Sequence, residues 1–361
     1  MKSSLIGVIG CGGNIGRKLC ERLVEKYYVR GGQRKKENII QSNNFEWKMV
    51  DIFEKNSLEE FCNDCKIIIN CAGPSYKIGA KIAIVADKMG VDYIDAFGGG
   101  FLEKEIVRNC LNRSNYKIFS AGSMPGFSGI IPRFLIEKYS TIDEFKIYEG
   151  SFEKSGIAAS EDIILSSVNG FGLKDTFIEN GVYTKDPMTQ DAIIVPGVPD
   201  PVVCQYYLTE EIIHFQKKYA VPNLKFIHMS SNKEISRMLS NACTEAIFSD
   251  DNRIKTMAFE ISNKMNLCVA YKKSWYAYIV EFITQHKHKR CIISAQESAE
   301  ICAVIIDHII TLILDKKKNK GIYWAYDFAD AADIINTLSE EKIIKYSLLD
   351  VADLEYDEGE L

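Results

Sequence analysis

The first third of the chain switches between two hydrophobic rhythms. Leu5 to Ile9 is a short apolar run that stops at Gly10, after which Ile15, Leu19 and Leu23, with Cys20 and Val24, recur at helical spacing. Tyr27 to Arg30 reads as a second strand closed by Gly31-Gly32, and Phe45 to Ile52 as a third. Ser57-Leu58-Glu59-Glu60 has the form of a capping box that opens a short helix. Lys66 to Cys71 is a buried-strand run, stopped by Ala72-Gly73-Pro74. Ile78, Ile82, Val85 and Met89 mark one helix, Val91 to Ile94 a strand ending at Asp95, and Leu102, Ile106, Val107 and Leu111 another helix before the strand Lys117 to Ser120. Strand and helix alternating in this way predict an α/β domain: a Rossmann-type doubly wound parallel sheet with helices on both faces.

From about residue 124 the rhythm changes. Helical stretches near 128–139, 158–168, 209–219, 234–248, 251–265 and 295–315 are interspersed with the strand-like segments Phe145 to Tyr148, Lys225 to Met229 and Tyr276 to Thr284. The last of these faces Arg290 to Ser294 across the polar turn His286-Lys287-His288-Lys289, a hairpin pattern. This arrangement predicts a second, α+β domain, with Pro196 to Pro201 as a rigid loop inside it. The acidic end, Asp350 to Glu360, reads as a solvated tail.

Composition adds exclusions. At 361 residues the chain exceeds the size at which a single core stops growing. A net charge of -5 gives no basic face for nucleic acid, and no apolar run approaches the roughly 20 residues that span a bilayer. The N-terminus runs straight into the first strand, so no signal peptide is expected and the cytoplasm is the expected compartment. Eleven cysteines, an odd number placed where small apolar residues belong, read as reduced buried thiols. Cys62 and Cys65 have ligand spacing, but no second pair follows nearby, so no metal site is expected.

The chemistry gathers at the first turn. A strand feeding a tight glycine turn into a helix lines up backbone N–H groups where a pyrophosphate can bind. Ile15 occupies the third glycine slot of a strict G-x-G-x-x-G, so Gly10, Gly13 and Gly16 are the relevant glycines. An NAD site usually places an acid at the end of the second strand, whereas this chain has Gln33-Arg34-Lys35-Lys36, with no acid before Glu37. Arg34 and Lys35 attract a 2′-phosphate, which favours NADP(H) over NAD; the other reading is a solvated basic loop.

Four segments together, Gly10 to Arg17, Ile69 to Pro74, Gly90 to Asp95 and Ala121 to Gly126, resemble the saccharopine dehydrogenase-like family. Its members are NAD(P)-dependent enzymes that typically reduce an imine formed from an amine and a carbonyl, or run that reaction backwards. The resemblance implies cofactor contacts at Gly10, Cys11, Gly12, Gly13, Asn14 and Ile15, with Arg34 as the basic residue, although Gln33 stands where a glycine usually precedes it. It further implies Asp51 and Ile52 near the adenine, and Cys71, Ala72, Gly73 and Pro74 beside the nicotinamide ribose, with Tyr76 following. Asp95 to Gly98 and Ala121 to Pro125 would border the cleft. It also implies that the end of the chain returns to the first domain. That domain would then be residues 1–124 completed by about 318–361, with 125–317 as the substrate domain.

An imine needs a proton on nitrogen, which an iminium already carries, so a protein acid is optional. Tyr76 is the first candidate for one and Asp95 the second, with packing of the Tyr76 ring as the alternative role. His214 and His228 read as structural, and His286 and His288 as exposed turn residues. Glu149 and Glu153 are placed to meet an ammonium group but are not chosen as site residues. No Tyr-x-x-x-Lys pair stands where short-chain dehydrogenases carry theirs. The leading reading is an NADPH-dependent reductase acting on an imine or related group of an amino-acid-derived small molecule. An amino-acid dehydrogenase working oxidatively and a non-catalytic NADP(H) sensor are the alternatives, and a homodimer is left open.

Overall fold

The computed structural model describes residues 4–110, 114–187, 192–285 and 287–351. Leu111, His286 and the acidic residues beyond 351 lie outside the described residues.

In chain order the first elements are β1 (Leu5–Ile9), α1 (Asn14–Leu23), β2 (Tyr28–Gln33), β3 (Phe45–Met49), α2 (Lys55–Cys62), β4 (Ile67–Asn70), α3 (Ser75–Ile78), α4 (Lys81–Met89), β5 (Asp92–Asp95), α5 (Gly100–Asn109) and β6 (Lys117–Phe119). The central strands are continuous apolar runs because both faces of the sheet are covered. Ile6, Val8, Ile67, Ile68, Ile69, Ile94 and Ile118 are all fully buried.

Three local expectations are corrected. The second strand does not close at Gly31-Gly32 but runs through both to Gln33. Glycine is needed there for space: a Cβ on Gly31 would lie 2.3 Å from the Phe45 ring, and one on Gly32 would lie 2.4 Å from the Phe61 ring. Ser57 does not cap α2, which begins at Lys55 behind Glu54; the Ser57 hydroxyl instead accepts a hydrogen bond from the Asp51 N–H at 3.0 Å. The helix expected from Ile78 to Met89 breaks at Gly79 (φ +52°), and the Glu105 carboxylate accepts from the Ala80 N–H at 2.8 Å at the break.

The chain continues through α6 (Phe127–Tyr139), β7 (Glu144–Phe152), α7 (Ile157–Asn169), β8 (Gly172–Lys174), β9 (Thr176–Glu179), β10 (Val182–Lys185), β11 (Val203–Thr209), α8 (Glu210–Tyr219), β12 (Asn223–Ser230), α9 (Lys233–Glu245), α10 (Asp251–Tyr271), β13 (Trp275–Thr284) and β14 (Lys287–Ala295). It closes with α11 (Ser298–Leu314), β15 (Ile322–Trp324), α12 (Ala325–Phe328), α13 (Ala331–Glu340) and β16 (Ile344–Asp350).

These elements form two sheets. The first has seven strands, all parallel, in the order β15-β6-β5-β4-β1-β2-β3. Without β15 this is the doubly wound dinucleotide-binding order, with β1 and β4 flanking the point where the order reverses. The second sheet is mixed, in the order β10-β9-β12-β7-β13-β14-β16 with β11 against β12; within it β7 and β12 run parallel and the other pairs antiparallel. The fold is therefore α/β, with a second α+β unit.

One compact unit comprises Met1–Ile130 with Ala299–Ile334, and the other Ile131–Ser298 with Ile335–Leu361. The closing segment departs from the sequence expectation. Residues 344–350 form β16, which pairs antiparallel with β14 in the second sheet, so the end of the chain does not complete the first unit. Asp350 is correspondingly a strand residue, ion-paired to Lys289 at 2.5 Å, and not the start of a solvated tail. Residues 299–334, which comprise most of α11 with β15, α12 and the start of α13, belong to the first unit. Lys18 pairs with Glu300, and Arg22 and Lys26 both pair with the buried Asp307, at 2.7 to 2.8 Å, fastening α11 to α1. No helix among the described residues is long and apolar enough to cross a membrane.

Candidate cofactor-binding site

The carboxyl ends of β1, β2 and β4 converge on the glycine turn. Gly10 sits in the left-handed region (φ +83°), and its N–H donates to the Gly32 carbonyl at 2.7 Å. A Cβ on Gly10 would lie 2.7 Å from the Ala72 nitrogen, and one on Gly16 2.2 Å from the Gly10 carbonyl oxygen. Gly10 therefore lets β1 and the loop after β4 approach, and Gly16 lets α1 press onto the turn. Gly13 is the residue preceding α1, with extended backbone, and its N–H donates to the Gly10 carbonyl at 3.0 Å. Gly13 also lines the open cleft beside this turn. Helix first turns present N–H groups with no intrahelical acceptor and carry a partial positive charge.

A cleft of about 600 Å³ opens beside this turn, lined by Gly12, Gly13, Gln33, Arg34, Lys35, Glu37 and Asn38. Arg34 and Lys35 are exposed at its edge. Gln33, in sequence only a departure from the family pattern, ties the loop after β2 to the glycine turn. Its Oε1 accepts from the Gly12 N–H at 2.8 Å, while its Nε2 donates to the carbonyls of Lys35 (2.8 Å) and Glu37 (2.5 Å). The one available signal was a bulky amide where a glycine was expected.

Cys11 and Cys71 are buried, and burial pushes the Cys11 thiol up to about 11 and the Cys71 thiol well above its ordinary value. Both are protonated at neutral pH and serve as small fillers behind the turn. Ala72, Gly73 and Pro74 follow β4 at its carboxyl end, beside Asn70. The buried Asn70 side chain spans this edge: its Oδ1 accepts from the Ala72 N–H at 3.0 Å and its Nδ2 donates to Asp95 at 3.1 Å.

Asp95 is itself buried. Its carboxylate also accepts from the Tyr93 hydroxyl and from the Phe97 N–H at 2.9 Å. Burial, and then the Asp95 charge, push the Tyr93 hydroxyl well above its usual range. Asn70, Tyr93 and Asp95 thus tie together the ends of β4 and β5. Tyr76 lies in α3 with its hydroxyl oxygen buried and its ring stacked on Phe101, centroids 4.4 Å apart. Asp51 follows β3 and accepts from the Phe53 N–H at 2.9 Å. Ile52 lines a hollow of about 210 Å³ with Phe53, Lys55, Leu58, Lys81, Ile84, Val85 and Lys88.

Among solved structures, the chain superposes on saccharopine dehydrogenase (L-Glu forming) from Saccharomyces cerevisiae with a TM-score of 0.65. The match covers 96% of this chain and 100% of that one at 11% identity. The chain has the saccharopine dehydrogenase fold. A Rossmann-fold NAD(P)-binding family protein from Shigella flexneri matches over 32% of this chain and 66% of its own, at 15% identity and a TM-score of 0.28. No family sequence model matches the chain, and no curated protein sequence does.

Of the remaining candidates, Glu153, His228 and His288 belong to the second unit and Cys62 and Cys65 to the first. Glu153 is held by Ser298, whose N–H and hydroxyl donate to its two oxygens at 2.9 and 2.7 Å. His228 is pushed down by burial, so its imidazole is neutral at pH 7. His288 is an exposed residue of β14, not of a turn. Cys62 and Cys65 are buried thiols raised to about 12 and about 11 by burial.

Proposed function

We propose that the chain is an NADP(H)-dependent oxidoreductase that reduces an imine, or a related C=X group, of an amino-acid-derived small molecule. The observation that carries the cofactor reading is the cleft in which the glycine turn meets Arg34 and Lys35 with no acid at the end of β2. The cradle fits a dinucleotide: Gly10 and Gly16 admit no Cβ, and the α1 N-terminus offers N–H groups to a pyrophosphate. Arg34 offers a planar fork for a 2′-phosphate, and Lys35 adds charge. Asp51 and Ile52 stand for the adenosine end, and Cys71 to Pro74 for the nicotinamide end. Bound there, the cofactor supplies a hydride; the chain supplies placement and exclusion of water.

The fold of the superposed saccharopine dehydrogenase supports the choice of substrate class. Asp95 acts as a positioning residue in this scheme, because Asn70, Tyr93 and Phe97 already occupy its oxygens. Tyr76 is the remaining proton donor for a substrate nitrogen. Tyr76→Phe keeps the ring stack, so it is expected to leave NADPH affinity unchanged and to lower kcat by about 100-fold. Full turnover in steady-state assays would remove Tyr76 from the chemistry.

Titration calorimetry tests the cofactor. NADPH is expected to bind at least about 10-fold tighter than NADH, and Arg34→Ala to erase most of the difference, since a charge-assisted phosphate contact contributes roughly 1.5–3 kcal/mol. Equal affinities in the unmodified protein would overturn the NADP(H) reading. NADPH binding without turnover across a panel of amino-acid-derived imines would point to a sensor.

A further inference from the structure

We infer that Gln33 is the residue that sets cofactor preference, by holding the Arg34–Lys35 loop in its phosphate-binding shape; this rests on the NADP(H) reading above. Gln33 is the last residue of β2, the position from which an NAD enzyme reaches the ribose with a carboxylate. Here the group is a neutral amide that uses both of its ends. The oxygen takes the Gly12 N–H, and the nitrogen donates to the carbonyls of Lys35 and Glu37. One side chain therefore clamps the loop against the glycine turn.

The fit is close on both sides. A Cβ on Gly12 would lie 2.5 Å from Gln33 Oε1 and 2.7 Å from the Glu37 carbonyl oxygen, so only glycine at position 12 leaves room for the clamp. With the carbonyls of Lys35 and Glu37 held inward, the side chains of Arg34 and Lys35 are exposed at the cleft. A carboxylate at position 33 could still accept from Gly12 but could not donate to either carbonyl. It would also stand as a negative charge where the 2′-phosphate is expected. The amide thus does two things that glutamate cannot: it orders the basic loop, and it leaves the site without negative charge at that point.

The test compares Gln33→Leu and Gln33→Glu with the unmodified chain, using NADPH and NADH titrations and hydrogen exchange of the cofactor-free protein. Gln33→Leu is expected to weaken NADPH about 10-fold, leave NADH unchanged, and speed exchange at Gly12 and across residues 34–38. Gln33→Glu is expected to weaken NADPH about 100-fold while NADH binding is retained or improved. An unchanged NADPH-to-NADH ratio in both variants overturns the inference, whatever exchange shows. Unchanged exchange in Gln33→Leu overturns the clamp even if the ratio moves. Failure of the parent reading looks different: the unmodified protein would bind both cofactors equally. The exchange measurement then still decides whether Gln33 holds the loop.

Discussion

Replacing Gly10 with alanine is expected to abolish NADPH binding and to destabilise the chain by roughly 3 kcal/mol or more. Two costs combine. At φ +83° an alanine is strained by about 1–2 kcal/mol. Its Cβ would also lie 2.7 Å from the Ala72 nitrogen and 2.8 Å from the carbonyl carbon and oxygen of Cys71. Those atoms are backbone, and they are not free to retreat. The Cys71 N–H donates to the Ile9 carbonyl at 2.8 Å, and the Ala72 N–H donates to Asn70 at 3.0 Å. Moving them separates β4 from β1 at the point where a dinucleotide would lie. Gly90→Ala is the matched control, because Gly90 is also left-handed (φ +68°) but a Cβ there meets nothing within 4 Å. It is expected to cost only about 1 kcal/mol and to leave binding intact. Urea denaturation and calorimetry read both quantities. If the two variants lose similar stability and both bind NADPH, close approach is not what Gly10 provides.

The same turn shows what the sequence could reveal. Central parallel strands are buried on both faces, so Ile67 to Ile69 announces itself without knowledge of its neighbours. The strand–turn–helix around Gly10 is equally local, since strand, glycines and helix are consecutive. Legibility fails where the deciding partner is distant. Gly31 and Gly32 read as a stop, yet they are strand residues because Phe45 and Phe61 lie over them. Residues 344–350 read as part of the first unit, yet their partner is β14, and a short, half-buried strand such as Ile344–Asp350 carries no mark of which sheet edge it joins. The short strands β8 and β10 are hard to read for a related reason: Leu173, Val182 and Tyr183 are exposed, so little alternation records the pairing. At the site, the glycines were visible because their chemistry is local. Gln33 and Asn70 were not, because each acts by bridging to backbone groups that only the fold brings near.

Glu149→Gln is expected to make the protein more stable at alkaline pH while changing little near pH 5. Glu149 lies in the interior of the second sheet, on β7 between His228 of β12 and Tyr278 of β13 in the strand register. Tyr276 donates to its Oε1 at 2.8 Å, but its Oε2 is buried with no hydrogen-bond partner among the described residues. Among the described residues, no counter-charge compensates. His228 is pushed down by burial, and the other charged neighbours, Glu211 on α8 and Glu153, are acidic. Burial therefore raises the carboxyl to about 8, helped by the charges of Glu211 and Glu153, against the ordinary value of 4.5. The folded chain keeps a proton that the unfolded chain releases, so this group lowers stability as pH rises from about 4.5 to about 8. Below that window it costs nothing; above it the full penalty is on the order of 5 kcal/mol. A glutamine keeps an oxygen for the Tyr276 hydroxyl and cannot ionise. The variant's advantage in urea midpoints should therefore open across neutral pH and level off near pH 9, for which a few kcal/mol is a large fraction of a domain's stability. A pH-independent difference between the two proteins would mean that Glu149 ionises normally in the fold, with a solvating partner that its buried position on β7 does not provide.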